Sequence, residues 1–170
     1  MGGYVAMAFA RLYPDMLARL VLVCTRAGPD SPEARKGRYK MAEEVKVRGP
    51  QAVVDAMLPK LVSEATRQNK PEVVQQVEEM MLRQGEEGIV AALYAMASRP
   101  DSSPSLAQVE VPTLIITGAE DTIIPAEEAA KMLALIAGSR QVEIPATAHM
   151  PMLEDSGAFN DALREFLLNS

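Results

Sequence analysis

The sequence predicts an α/β fold: a parallel sheet of about three strands flanked by helices, with an all-helical insertion in the middle of the chain. Two observations carry this expectation. Residues 20–24 (Leu20-Val21-Leu22-Val23-Cys24) and 113–117 (Thr113-Leu114-Ile115-Ile116-Thr117) are short continuous apolar runs, the pattern of strands covered on both faces of a parallel sheet. Residues 141–144 (Gln141-Val142-Glu143-Ile144) add a third strand, and segments with helical spacing lie between and around the three. The order is helix–strand, a long middle, then strand–helix–strand–helix, as in a doubly wound sheet. Three strands are few for such a sheet, so part of it is expected to be missing on the N-terminal side.

Taken in order, residues 4–13 have their apolar side chains at helical spacing, and Pro14-Asp15 marks the stop. A helix over 126–137 follows Pro125, carries Glu127 and Glu128 where the helix dipole favours anions, and halts at Gly138. Residues 155–168 close the chain, with Phe159, Leu163, Phe166 and Leu167 as one apolar stripe. The middle has no strand signal. Its apolar positions recur helically (Val53, Ala56, Met57, Leu61; Val73, Val77, Met80, Met81; Ile89, Leu93, Met96), and Pro50, Pro71 and the loop 85–88 cut it into short helices. The expected division is a core of residues 1–30 and 100–170 and a helical cap, or lid, over 31–99. Met41, Met57, Met80, Met81 and Met96 read either as a pliable pocket wall or as ordinary core filling.

Composition narrows the function classes. The chain has 170 residues, enough for one domain, and 48% hydrophobic with 24% charged residues is an ordinary globular balance. The run 20–24 is far too short to span a bilayer, and the first residues lack the basic cluster of a secretory leader. A net charge of −6 argues against nucleic acid, and with 4% aromatic residues and no Trp, base stacking is not expected. Arg35, Lys36, Arg38 and Lys40 form a local basic group, read as a solvated helix face in preference to a binding patch. Cys24 is the single cysteine, which fits a reducing, cytoplasmic setting; it reads as a buried small hydrophobe, with a reactive thiol as the alternative. With one Cys and one His, no metal site is expected, and no cofactor is called for.

The chemistry-bearing residues lie past two strand ends. Gly118-Ala119-Glu120-Asp121 places an acid just beyond the second strand, and Pro145-Ala146-Thr147-Ala148-His149 places the only histidine just beyond the third. Parallel strands of one sheet deliver both to the carboxyl edge, where open α/β sheets bind ligands. A carboxylate that accepts the Nδ1–H of an imidazole fixes its tautomer and stabilises the imidazolium formed when Nε2 takes a proton. That logic makes Asp121 and His149 the candidate catalytic residues.

Here the sequence resembles the α/β-hydrolase superfamily, in particular its esterase and enol-lactonase-like members. Val111-Pro112-Thr113-Leu114-Ile115-Ile116-Thr117-Gly118 leading to Asp121 and Pro125 looks like the family's acid-bearing strand and turn. Ala148-His149 followed by Met150-Pro151-Met152-Leu153-Glu154 looks like its histidine loop, with alanine where glycine is common before the histidine. Residues 99–106 resemble the return from the cap. Met1-Gly2-Gly3-Tyr4-Val5-Ala6 resembles the stretch just after the nucleophilic serine in the Gly-x-Ser-Met-Gly-Gly elbow. The resemblance implies a partial α/β-hydrolase fold and a serine hydrolase of small carboxylic esters or lactones. In it Asp121 orients His149, a serine directly before Met1 attacks, and the backbone nitrogen of Met1 is what remains of the oxyanion hole.

Three further expectations concern activity and assembly. Because the chain starts at that Met, the 170 residues are expected to be inactive alone; no serine in 31–139 and not Cys24 stands on a strand-to-helix elbow. The strand edge 20–24 and the helix 4–13 are expected to be exposed and to join a homodimer or higher oligomer, which makes a non-catalytic fragment the alternative. A small-ligand binding module using the cap pocket is the third reading.

Overall fold

A computed structural model describes residues 1–169. Its sheet is parallel with strand order β1–β2–β3, formed by β1 Leu20–Val23, β2 Thr113–Gly118 and β3 Arg140–Ile144. Leu20 lies opposite Thr113 and Val23 opposite Ile116, while Leu114 lies opposite Arg140 and Gly118 opposite Ile144. The central strand β2 is buried at every residue, as its unbroken apolar run predicts. At the outer edge β3 buries only Ile144 fully, which explains its weaker, mixed sequence signal.

Alternation along the strands sorts two cores. Leu20, Leu22 and Ile115 pack with Met7 of α1 (Gly2–Leu12), Leu106 of α7 (Ser103–Leu106) and Met132 of α8 (Ala126–Leu135). Leu114, Ile116 and Ile144 pack on the other face with Phe166 of α10 (Ser156–Leu168), with Val21 and Val23 beside them. Each such fully buried large side chain contributes about 1.5–3 kcal/mol of transfer free energy.

Between β1 and α7 lies a layer of five helices: α2 Pro32–Arg48, α3 Gln51–Leu61, α4 Glu64–Asn69, α5 Pro71–Leu82 and α6 Glu86–Ser98. Ser31 caps α2 by accepting from Ala34 N, and Ser63 caps α4 by accepting from Thr66 N, both at 3.1 Å. Pro32 and Pro71 open their helices at positions that need no N–H donor. The layer has its own core of Ala42, Val45, Ala52 and Leu93, with Met41, Val53 and Met96 against it.

The predicted elements are present, with shifted ends. Helix α1 starts at Gly2 and not at residue 4, and it stops at Leu12 ahead of a 3₁₀ turn at Pro14–Met16. Helix α8 ends at Leu135, two residues short of the expected 137, and Gly138 (φ 72°) makes the turn. Cys24 leaves the strand predicted over 20–24: its φ is 44°, although its N–H still bonds Ile116 O at 2.9 Å. The last helix, expected over 155–168, is α10 with Asp155 as its cap, and a separate short helix α9 (Pro151–Glu154) precedes it; Leu167 of the predicted apolar stripe is exposed while Phe166 is buried. Among the described residues no helix is long and apolar enough to cross a membrane.

Candidate functional site

Backbone geometry at the carboxyl edge brings Asp121 and His149 together. Beyond β2 and β3 the two loops are stitched by Ala119 N to Ile144 O (3.1 Å) and Glu120 N to Thr147 O (2.8 Å). The approach is so close that a Cβ on Gly118 would stand 1.9 Å from the Ala148 carbonyl oxygen, so this position requires glycine. Ala146 turns the histidine loop with φ 55°, and Thr147 Oγ1 donates to Ile144 O at 2.9 Å to hold it. His149 Nδ1 then lies 2.9 Å from Asp121 Oδ2. Asp121 Oδ1 accepts from Ile123 N at 2.8 Å and Ile124 N at 3.0 Å.

This carboxyl group is almost fully buried, with 3% of its side chain exposed. Burial pushes its pKa up, but the bond and charge of His149 and the two amides outweigh it, so it lies below the usual aspartate range. Asp121 is therefore ionised at neutral pH and favours the His149 tautomer with the proton on Nδ1, leaving Nε2 to accept one.

Cys24 stands beside this pair. Its Sγ lies 3.7 Å from Ala148 O, and Cys24, Asp121 and His149 present ligand-type atoms within 4.8 Å of one another. Burial first, with Asp121 adding, pushes the thiol pKa up to about 12, so it is neutral at physiological pH and neither a ready nucleophile nor a ready metal ligand. Asp121 and His149 already satisfy each other, and the trio fits a hydrogen-bonded pair with a small neutral neighbour better than a cation site. Sequence spacing carries no sign that Cys24 reaches the pair; its left-handed turn out of β1 puts it there.

His149 opens onto a cavity of about 420 Å³. Tyr4, Cys24, Arg26 and Arg38 line part of its wall, and Met41, Met57, Met81 and Met96 of the helical layer line much of the rest. Four of the five methionines singled out in the sequence thus reach the cavity, whereas Met80 is exposed on α5. Met1 lines it too. Most of the Met1 side chain is exposed, but its amino group is crowded by protein, which lowers its pKa, with the charges of Arg38 and Arg99 acting in the same direction. Among the described residues no serine lines the cavity.

Arg38 belongs to a cluster that sequence reading missed. It does not share the solvated face of Arg35, Lys36 and Lys40. Asp30, whose side chain is wholly buried, receives Arg26 at 2.8 Å, Arg38 at 2.7 Å and Arg99 at 3.1 Å. Burial raises the Asp30 pKa, but the three guanidinium groups, Arg38 foremost, bring it below the ordinary value. The Arg99 guanidinium also lies 4.1 Å from the Tyr4 ring centroid, which ties the cluster to α1.

Parallel strands that present an Asp–His pair beneath a helical layer define the α/β-hydrolase class. The chain belongs to that superfamily: the family model described as "Serine aminopeptidase, S33" matches residues 1–156. Among solved structures, a thermophilic esterase from Thermogutta terrifontis, determined with malate bound, is 44% identical with a TM-score of 0.95, over 98% of this chain and 61% of that one. The enol-lactonase from Burkholderia xenovorans LB400 is 27% identical with a TM-score of 0.89, over 99% and 63%. The 2-hydroxy-6-oxononadienedioate/2-hydroxy-6-oxononatrienedioate hydrolase of Klebsiella pneumoniae is 26% identical over 98% of this chain and 59% of that protein. The chain therefore spans about three-fifths of the length of each of these relatives.

Proposed function

We propose that these residues form the acid–base half of a serine hydrolase acting on small carboxylic esters or lactones. Asp121 holds His149, and His149 Nε2 takes the proton of a serine hydroxyl and later returns it to the leaving group. The observation that carries this reading is the 2.9 Å bond between His149 Nδ1 and the buried, ionised Asp121 at the mouth of a largely apolar cavity. The likeness to an esterase and an enol-lactonase supports the substrate class. The helices over 31–99 serve as the cap, supplying the methionine wall. Met1 lines the same cavity, which is consistent with its backbone nitrogen facing the developing oxyanion.

The attacking serine is placed directly ahead of Met1, so the 170 residues alone are expected to be inactive. A chain carrying a Gly-x-Ser strand in front of Met1 should turn over p-nitrophenyl acetate and lose about 10⁶-fold in kcat with His149→Ala. The 170 residues alone should match the buffer rate. Turnover in the longer chain indifferent to His149→Ala overturns the catalytic reading. Turnover by the 170 residues that His149→Ala abolishes overturns the proposed place of the nucleophile. A second reading, a fragment that folds by self-association, is favoured by the exposed apolar face of α1, where Val5 and Leu12 point away from the core.

A further inference from the structure

Glu154 is a carboxylate with 2% exposure that takes no direct part in the Asp121–His149 pair. Its Oε1 accepts from Ala148 N at 2.8 Å and Met150 N at 3.2 Å, the amides on either side of His149. Its Oε2 accepts from Ser63 N at 2.7 Å and Thr66 Oγ1 at 2.9 Å, at the junction of α3 and α4. The amide of His149 itself donates to Leu61 O, the last residue of α3, at 3.2 Å. Three successive amides of the histidine loop are therefore gripped, the outer two by Glu154 and the middle one by the helical layer. Lys70 Nζ, from the same layer, donates to the main-chain oxygen of Glu154 at 2.5 Å.

We infer that Glu154 and the segment Leu61–Thr66 form a positioning clamp for His149, so that one end of the helical layer is part of the support of the base. The inference rests on the reading of His149 as that base. The histidine loop needs such support. Its residues before His149 are small, and Ala146 sits at φ 55°, a conformation that costs an alanine of order 1 kcal/mol and persists only when its surroundings enforce it. The two side-chain oxygens of Glu154 accept from four donors. Gln in its place turns an NH₂ group toward donors on one side, and Asp is one methylene too short to reach both ends. A rigid lift of the whole helical layer would break the contacts through Leu61, Ser63, Thr66 and Lys70 and release the loop.

Because His149 is the only histidine, ring ¹⁵N shifts in the labelled 170-residue chain report its tautomer without ambiguity. Under conditions where the ring ¹⁵N shifts themselves report a neutral imidazole, the form protonated on Nδ1 should predominate in the unaltered protein. Glu154→Gln and Thr66→Val should each reduce that form by about half or more, shifting the ring toward the Nε2–H tautomer preferred in water. Val45→Ala, which removes methyl groups from the helical core without touching the loop, should leave the tautomer unchanged. If Nδ1–H does not predominate in the unaltered chain, or Glu154→Gln leaves it in place, the clamp is overturned. If Thr66→Val leaves it in place, the tie to the helical layer is overturned. An equal change with Val45→Ala shows a global effect and overturns the positioning role. Should Glu154→Gln fail to fold, the near-isosteric Thr66→Val still decides. The readout needs no turnover, so a failure of the hydrolase reading appears in the esterase assay and leaves this result intact.

Discussion

Asp30 and Asp121 are both carboxylates withdrawn from water and both held ionised, but by different means. Asp30 is surrounded by three guanidinium groups drawn from separate stretches of chain, whereas Asp121 has one imidazole and two amides of its own turn. The second arrangement was legible in the sequence, because strand ends place a turn acid and a loop histidine on one rim. The first was not, since only the tertiary fold gathers Arg26, Arg38 and Arg99, and Arg38 looks in sequence like its exposed basic neighbours. Removing the Asp30 charge leaves three cations facing one another at a buried site. Asp30→Asn should cost about 3–5 kcal/mol, measured by urea unfolding. Both aspartates have folded pKa values below the ordinary 3.8, so in acid the unfolded chain binds more protons than the folded one. Their stabilisation is fully present above that ordinary value and is lost as the pH falls toward the lower folded values. The melting temperature should therefore be flat between about pH 5 and 7, fall below about pH 4, and fall less steeply in Asp30→Asn.

At the scale of elements, the strands β1 and β2 were legible because continuous apolar runs can be covered only by helices on both faces. Strand β3 was legible mainly from its neighbours: only Ile144 of it is deeply buried. The ends were less legible. Glycines at 2 and 3 both lie inside α1 although they are poor helix formers; at Gly3 a Cβ would stand 2.4 Å from Thr25 Oγ1, whereas at Gly2 it would meet nothing within 4 Å. Close packing against the segment after β1 overrides propensity at Gly3. Gly118 meets the same constraint more severely, since its neighbour is the backbone carbonyl of Ala148, which cannot rotate away. Gly118→Ala must push β2 and the histidine loop apart. The expected loss is about 3 kcal/mol or more, above the range of an ordinary surface substitution. Thermal unfolding measures it, and the His149 ring shifts should show the Nδ1–H tautomer lost even in the fraction that remains folded. A stable Gly118→Ala protein with an unaltered His149 ring would mean that the two loops do not approach as described.

At the scale of the whole molecule, apolar exposure is unevenly spread. Met1, Val5, Phe9, Leu12, Tyr13 and Met16 are all exposed large hydrophobics near the N-terminal end, with Val5 at 63%, Leu12 at 55% and Met16 at 72%. Val5, Phe9 and Leu12 share one face of α1 through i, i+4 and i, i+3 spacing, while Met7 and Ala10 hold the other face to the sheet. Beside them β1 is the first strand in the order β1–β2–β3 and, among the described residues, pairs with β2 alone, which leaves its other edge without a strand neighbour. An apolar helix face next to an open parallel edge is the kind of surface that protein chains cover, and the 170 residues by themselves offer another copy as the occupant. The expected outcome is a dimer or larger assembly in light scattering at about ten micromolar, joined across this face. The double substitution Val5→Glu with Leu12→Glu places two carboxylates where the partner would sit. It should shift the population to monomer without loss of helical signal, because neither side chain is in the core. A monomer in the unaltered chain at that concentration sinks the association. An assembly that survives both substitutions moves the contact away from α1, leaving the β1 edge as the surface to interrupt next.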